Sequence, residues 1–317
     1  MTTSLMTPTD APPRTPLAVL GGGLAMAAVG GSFAVSHVLH DAPLAVAQSL
    51  RYAVSALILL TLARASGHRV RAPRPRDWPW LVGTSLAGLV LFNIALVRGS
   101  AHAEPAALAV AMACVPVLLA LGGPLTGGER PGPRVLAAAV VVTVGAVLIQ
   151  GVGRTDATGV AWAGLVLLCE AGFTLLAVPV LQHHGAWGIP VHTTWMAALG
   201  FGGWSVVAEG PGAVMRLDRA DLAAIAYLAL VVTALAFVLW YSCVSTLGAG
   251  HAGLLTGVAP VAAAAVGTAL GAGLPAAGVW AGTVVVATGL ALGLSGRRTR
   301  RSPADGARRD RPPRRVA

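Results

Sequence analysis

Glu170 is the residue whose type and position point most directly to chemistry. It is the single acidic residue of an apolar stretch that begins near Gly159. Eleven helical residues place it roughly 16 Å along that helix, at about the middle of a hydrocarbon core of ~30 Å. An ionisable group at such depth costs on the order of 3 kcal/mol and faces a cavity or a partner. Glu170 is therefore either a carboxyl that couples protons or binds substrate, or a neutral carboxyl that hydrogen-bonds a neighbouring helix.

Arg51 is the candidate partner of Glu170, because it lies about 12 Å into its own predicted helix from the same side. Gln48 and Ser55 share its helix face at spacings of three and four residues. Asn93 is expected at a similar depth and in the same cavity. Two hypotheses stay open: a substrate or proton path through Glu170, Arg51, Gln48 and Asn93, or an ion pair that only fixes the helix of Arg51.

Pro116 and Pro260 fall near the middle of two further apolar stretches. A proline inside a helix removes one backbone donor, which here frees the carbonyls of Met112 and Thr256. Freed carbonyls are tolerated at membrane depth where they line a cavity or meet other helices. The pattern predicts either functional kinks beside a cavity or simple packing kinks.

The remaining candidate ligands do not form a convincing metal site in the sequence. Histidine and aspartate side chains cluster in two places, His37, His40 and Asp41, and His183, His184 and His192. Both groups are interpreted as polar residues near the membrane surface, the second group in a cytoplasmic loop. The three cysteines lie apart inside apolar stretches, which indicates no disulfide framework and no metal cluster. Neither a metal nor a cofactor is predicted.

The composition defines the elements that must position these residues. Of 317 residues, 56% are hydrophobic and 11% are charged, and the mean hydropathy is +0.74. Soluble domains carry about 25% charged residues, so a soluble enzyme, a nucleic-acid-binding protein and a secreted disulfide scaffold are all disfavoured. At roughly 20 residues per span, the chain has material for about ten membrane helices. The sequence predicts an all-α integral membrane protein.

Ten spans are predicted at residues 17–38, 43–64, 79–97, 103–125, 131–151, 159–181, 190–209, 222–244, 251–273 and 276–295. All 22 basic residues are arginines, and nine of them lie between Arg297 and Arg315. If the N-terminus is cytoplasmic, 17 arginines fall on the cytoplasmic side and four outside. Cytoplasmic loops retain basic residues, so both termini are predicted to be cytoplasmic.

An internal repeat accompanies this layout. A shift of 144 residues aligns 90–151 with 234–295 without a gap, and it matches Pro116 with Pro260 and Gly145 with Gly289. Because each copy holds five helices, an odd number, the second copy must cross the membrane in the opposite sense. The sequence thus predicts a 5+5 inverted-topology repeat, an arrangement of many secondary transporters.

The sequence resembles the EamA-type transporters of the drug/metabolite transporter superfamily over nearly all of residues 17–295. The resemblance depends on these residues and motifs: Pro43 and Arg51, Ala106-Ala107 with Pro116, Gly128-Glu129, Gly145, Cys169-Glu170-Ala171-Gly172-Phe173, and Gly250-His251-Ala252 with Pro260. The second repeat departs from the pattern, since Ala272-Gly273 replaces Gly-Glu. The resemblance implies ten helices around a central cavity that moves small metabolites or drugs, usually outward.

The sequence predicts four segments of the chain and one function. Residues 1–16 form a cytoplasmic N-terminal segment, 17–151 and 152–296 the two five-helix repeats, and 297–317 a disordered arginine-rich tail that can contact anionic lipids. The predicted function is a proton-coupled exporter of a small molecule in the bacterial plasma membrane, without nucleic acid as a partner. The alternative is a non-transporting membrane protein, either a sensor or an assembly subunit. An enzyme is not expected, because the helices lack a paired nucleophile and base.

Overall fold

The computed structural model describes residues 14–39, 42–126, 131–151, 153–270 and 274–295. Within these ranges the regular secondary structure is helical, apart from one isolated bridge between Ala103 and Thr155. His40, Asp41, Gly128-Glu129, Ala272-Gly273 and the arginine-rich tail lie outside the described residues. The helices are α1 (Arg14–Ser36), α2 (Leu44–Ala65), α3 (Pro75–Gly99), α4 (Pro105–Thr126), α5 (Pro133–Gln150), α6 (Ala157–Leu175), α7 (Val178–Ala208), α8 (Arg219–Leu247), α9 (Ala249–Ala269) and α10 (Ala277–Leu294).

Nine of the helices in the described residues are long and apolar enough to cross a membrane. The exception is α7, whose hydropathy is lowered by polar side chains that include His192, Thr193 and Thr194. Those side chains are buried, as are Ile189 and Phe201 on the same helix. Leucine and valine side chains are widely exposed on the outside of the bundle, as a lipid-facing surface requires. The chain is a multi-pass membrane protein.

The boundary between α6 and α7 differs from the prediction. Helix six was expected to reach residue 181 and helix seven to begin at 190, whereas α6 ends at Leu175 and α7 begins at Val178. Pro179 explains the early end of α6, because its ring is incompatible with a helical carbonyl four residues earlier, at Leu175. The predicted loop with His183 and His184 is therefore helical and is broken at Gly185, where φ is +67°. The other eight helices begin and end within four residues of the predicted bounds.

The helices pack in a pattern that treats the two halves of the chain alike. Helix α2 packs along α7, and α5 packs along α10. Helix α1 contacts α8 and α9 of the second half, while α6 contacts α3 and α4 of the first. If each helix of the first half is exchanged with its counterpart in the second half, α1 with α6 through α5 with α10, these contacts stay the same.

The contact between α5 and α10 shows the same correspondence at atomic detail. A methyl group on Gly145 would lie 2.7 Å from the Val286 nitrogen, and one on Gly289 would lie 3.0 Å from the Val142 nitrogen. Both pairs of residues, Gly145 with Gly289 and Val142 with Val286, are 144 positions apart. The glycines allow the two backbones to approach closely, as small residues do between membrane helices.

Irregular turns also occur at matching positions. Helix α3 contains a π-helical segment at Leu86–Leu91, and α8 contains one at Leu228–Leu235. Helix α4 is interrupted at Cys114, just before Pro116, and α9 has a 3₁₀ turn at Leu255–Gly257, just before Pro260. π-Helical turns inside α-helices often mark functional sites, so we expect a functional site in the space between α3 and α8.

Two sets of contacts tie the connections at the end of the bundle opposite the Arg69–Arg76 loop. Arg154 donates to Glu104 from its side-chain Nε (2.7 Å) and from its backbone nitrogen (3.0 Å). These bonds hold the pKa of Glu104 below its ordinary value. Beside them the Gly159 N–H and His102 lower the pKa of Asp156. The contacts join the connection before α4 to the connection before α6.

Candidate functional site

A cavity of about 140 Å³ lies among α1, α2, α3, α4, α6 and α8, and is called the central cavity. Five polar side chains line it, Ser32, Arg51, Tyr52, Asn93 and Glu170. The rest of its wall is mainly apolar and aromatic, with Met26, Phe92, Met112, Phe173, Phe237 and Trp240. An apolar pocket with a few converging polar groups is the usual form of a small-molecule site.

Arg51 faces this cavity without an acidic partner. Its Nε donates to the Thr233 hydroxyl at 3.0 Å, in the π-helical segment of α8, and its guanidinium carbon lies 5.2 Å from the centre of the Tyr52 ring. Its Nη1 is 3.5 Å from the Gln48 side-chain oxygen. No carboxylate oxygen of a described residue lies within 4.0 Å of the guanidinium. An unpaired cation in an apolar wall is a site for an anionic group.

Glu170 lines the same cavity and has no hydrogen-bonded or ion-paired partner among the described residues. It is half-buried, in the second half of α6. Arg51 and Glu170 thus share one cavity, as the sequence suggested, but the ion pair between them is not formed. The alternative hypothesis, a hydrogen bond of Glu170 to a neighbouring helix, is not met by any residue in the described ranges.

Asn93 connects the polar side of the cavity to the π-helical segment of α3. Its amide nitrogen donates to the Tyr52 hydroxyl (2.9 Å) and to the Leu89 carbonyl (2.6 Å). Gln48 is buried and does not line the cavity. Its contact with Arg51 makes it a neighbour of the site rather than part of the wall.

The two prolines differ in their relation to the cavities. Pro260, Thr256 and Met112 line a smaller cavity of about 40 Å³, which also contains Glu170 and is called the side cavity. Pro116 is buried and lines neither cavity. The interruption before Pro116 frees the Ala113 carbonyl, which accepts a hydrogen bond from Thr143 of α5 at 3.0 Å. Pro116 therefore shapes α4 and its contact with α5.

The central cavity is closed on one side by contacts between α6 and α8. Trp240 donates to the Thr174 hydroxyl at 3.0 Å, and the Tyr241 hydroxyl donates to the Phe173 carbonyl at 2.9 Å. The Phe173 and Phe237 rings pack 4.8 Å apart between centroids. Sequence reasoning named Phe173 only as part of the motif at residues 169–173 and did not predict that Phe237, Trp240 and Tyr241 lie at the cavity. The 144-residue shift could have found Phe237 and Trp240, because it aligns them with Asn93 and Leu96, which also line the cavity.

Comparison with known proteins gives the following matches. Residues 16–151 match the EamA-like transporter family. An uncharacterized transporter of Bacillus subtilis, YetK, is 28% identical over 247 residues, 75% of either chain. A probable terminal-alkyne amino-acid exporter of Streptantibioticus cattleyicolor is 27% identical over 255 residues, 78% of this chain and 80% of that protein. One solved crystal structure has a TM-score of 0.74 and 18% identity, and the match covers 90% of this chain and 99% of the other, which shows the fold alone.

Apolar helices around a cavity with unpaired charged residues, together with these relatives, define a membrane transporter of a small molecule. Over residues 16–151 the chain is similar to the EamA-like transporter family, and the two relatives are named as a transporter and an exporter.

Proposed function

We propose that this protein is a secondary active exporter that moves a small molecule through the central cavity by proton-coupled alternating access. The observation that carries the proposal is the pair of opposite charges, Arg51 and Glu170, that line one cavity without neutralising each other. A buried charge without a partner is costly. A substrate that supplies the missing charges, or a proton on Glu170, removes that cost.

Alternating access is supported by the placement of the cavity on the repeat. Six pairs of its lining residues are 144 positions apart, and they are Met26 with Glu170, Val29 with Phe173, Gly88 with Val232, Phe92 with Ala236, Asn93 with Phe237 and Leu96 with Trp240. A cavity on the symmetry element of two inverted repeats can open to either side when the repeats exchange conformations. We therefore retain the 5+5 arrangement of 17–151 and 152–296, with α7 as the tenth span and both termini cytoplasmic.

The charges favour a zwitterionic substrate. A carboxylate suits the guanidinium of Arg51, an ammonium group suits Glu170, and an apolar side chain suits the wall of Phe92, Phe173 and Phe237. The name of the Streptantibioticus relative, an amino-acid exporter, agrees with this choice. We propose amino acids with apolar side chains as the first substrates to test.

Glu170 has the role of the coupling group in this mechanism. Its carboxyl takes a proton from the outer side and releases it inward as the substrate leaves. The neutral form is the less costly one at membrane depth, so protonation and substrate binding are alternative ways to satisfy the site. We place the protein in the bacterial plasma membrane, where a proton gradient is available.

The test is flux in proteoliposomes under an imposed pH gradient, with radiolabelled L-leucine, L-phenylalanine and L-propargylglycine, a terminal-alkyne amino acid. Glu170→Gln keeps the shape of the side chain and cannot release a proton. It should abolish gradient-driven flux, because an amide can neither take up nor release the coupling proton. Glu104→Gln changes a glutamate outside the cavity and serves as the matched control. Full gradient-driven flux in Glu170→Gln would exclude proton coupling through this residue.

The alternative of a sensor or an assembly subunit predicts no flux of any substrate in wild-type vesicles, together with a reproducible protein partner in pull-downs. Absence of gradient-dependent flux across a broad panel of amino acids, other metabolites and drugs would favour it. The unpaired charges in the cavity are the reason for ranking transport first.

A further inference from the structure

A cluster of metal-ligating side chains lies away from the cavity, where the start of α3 meets the start of α7. Asp77 Oδ2 is 3.2 Å from His184 Nε2 and 3.7 Å from His183 Nε2. One ligand atom from each of the three residues lies within 4.8 Å of the other two. The His184 side chain is fully buried, and the side chains of Asp77 and His183 are 6% and 16% exposed. The histidines that the sequence placed in a loop thus meet an aspartate more than 100 positions away.

The hydrogen-bond account of the cluster is incomplete. His184 Nε2 and Asp77 Oδ2 form a hydrogen bond of 3.2 Å, whereas His183 Nε2 and His184 Nδ1 are buried without a hydrogen-bond partner among the described residues. His183 Nε2 points at a carboxylate oxygen that is too distant for a good hydrogen bond. Buried polar atoms that lack a partner are uncommon, and of these two only His183 Nε2 faces the Asp77 carboxylate, where it is available to an ion.

His192 has a different role from its two neighbours. Its Nε2 is 2.9 Å from the Arg71 carbonyl, and its Nδ1 accepts from the Trp195 indole at 3.3 Å. Because an indole N–H can only donate, Nδ1 is unprotonated and Nε2 carries the hydrogen. Both nitrogens are occupied, so His192 forms a wall beside His184, at 5.1 Å between ring centres.

We propose that Asp77, His183 and His184 bind one divalent transition-metal ion, with Zn²⁺ as the ion that matches two imidazoles and one carboxylate. Zn²⁺ lies about 2.0–2.2 Å from such ligands, which places tetrahedral ligand atoms about 3.4 Å apart. The distances from Asp77 Oδ2, 3.2 and 3.7 Å, bracket that value. Asp77 and His183 line a polar cavity of about 400 Å³, which gives an ion an entry path and leaves room for a fourth ligand.

The surrounding arginines oppose a cation but do not occupy the site. Arg76 Nε is 3.9 Å from Oδ1, the other carboxylate oxygen, and the Arg76 side chain is 75% exposed. Water and salt screen an exposed charge strongly. The backbone N–H of Arg74 donates to Oδ2 at 3.0 Å and orients the carboxylate, as groups behind metal ligands commonly do.

The test uses the full chain in detergent, purified without a polyhistidine tag, stripped with EDTA and titrated with ZnCl₂ by calorimetry. One Zn²⁺ per chain and a higher Tm are expected, because an ion that binds only the folded state stabilises it. Co²⁺ should give the strong visible absorption of a tetrahedral site. Absence of saturable Zn²⁺ binding by the wild type would overturn the proposal without any variant.

Variants then locate the ion. His183→Ala and His184→Ala should each weaken Zn²⁺ binding by at least ~10-fold, the lower end of what loss of a supporting group costs a metal site. Arg76→Gln should tighten it, since it removes a competing positive charge. His102→Ala is the matched control, because His102 also contacts an aspartate, Asp156 at 3.1 Å, without a third ligand. Unchanged binding in both His183→Ala and His184→Ala would show that the ion lies elsewhere.

Discussion

The polar residues of the central cavity have no polar counterparts in the other repeat. The shift of 144 residues pairs Glu170 with Met26, Asn93 with Phe237 and Arg51 with Trp195. Symmetry therefore accounts for where the cavity lies, while single residues account for its charge. Each charged group is present once, so the loss of one cannot be compensated by its mate in the repeat.

Arg51→Gln should raise the KM for amino acids roughly 10- to 100-fold, because a hydrogen bond to a charged group contributes about 1.5–3 kcal/mol. The measurement is uptake of L-leucine against uptake of its methyl ester, which lacks the carboxylate. Arg98→Gln, at the end of α3, is the control and should leave both unchanged. An equal loss for leucine and the ester would show that Arg51 supports the fold of the site rather than the carboxylate.

At the scale of elements, the irregular turns of α3 and α8 place side chains that a regular helix would direct elsewhere. Thr233 in one π-helical segment accepts from Arg51, and the Leu89 carbonyl in the other accepts from Asn93. Gly88 lies in the π-helical segment of α3, and a methyl group on it would collide with the Phe173 ring. Residues of both π-helical segments thus contact side chains that line the cavity: Thr233 contacts Arg51, Leu89 contacts Asn93, and Gly88 contacts Phe173.

The close contact of α5 with α10 can be tested by single methyl groups. Gly145→Ala and Gly289→Ala should each destabilise the protein by about 1–3 kcal/mol, the usual cost of overpacking, because the methyl group would press on the backbone of the facing helix. Gly164→Ala in α6 has open space around it and should be neutral or slightly stabilising. Thermal unfolding in detergent measures all three. Equal Tm values for Gly145→Ala and Gly164→Ala would contradict the close contact.

For the whole molecule, alternating access predicts opposite changes at two positions. Leu96 lines the cavity toward the end of α3, whereas Thr174 is buried at the contact of α6 with α8. In a background without the three native cysteines, a membrane-impermeant maleimide should label Leu96→Cys less and Thr174→Cys more when L-leucine is added. Met215→Cys, which is exposed outside the helices, should not change. Parallel changes at both positions would argue against alternating access.

Hydropathy predicted most helices well, because lipid-facing helices need apolar side chains along their whole length. It failed at the boundary of α6 and α7, since residues 188–194 of α7 are buried and polar residues there, such as Thr193 and Thr194, donate to carbonyls of their own helix. Depth along a helix was enough to predict that Arg51 and Glu170 lie at compatible depths, but not that their helices face each other. Their lack of pairing depends on helix rotation, which spacing alone does not define. The contact of Asp77 with His184 depends on tertiary packing between distant segments and left no local pattern in the sequence.

The carboxylate of Glu209 caps the N-terminus of α2. It accepts from the backbone nitrogens of Ala45 at 2.8 Å and Val46 at 2.9 Å, at a helix start where Pro43 offers no capping side chain. A helix N-terminus attracts anions through its free N–H groups and its dipole, and here the protein supplies its own counter-ion. The carboxylate of Glu209 therefore neutralises the partial positive charge at the start of α2, and a substrate carboxylate gains little by binding there. The next positive charge on that helix is Arg51, about 9 Å further along the helix at 1.5 Å per residue. The first position on α2 that attracts an anion therefore lies in the cavity and not at the surface.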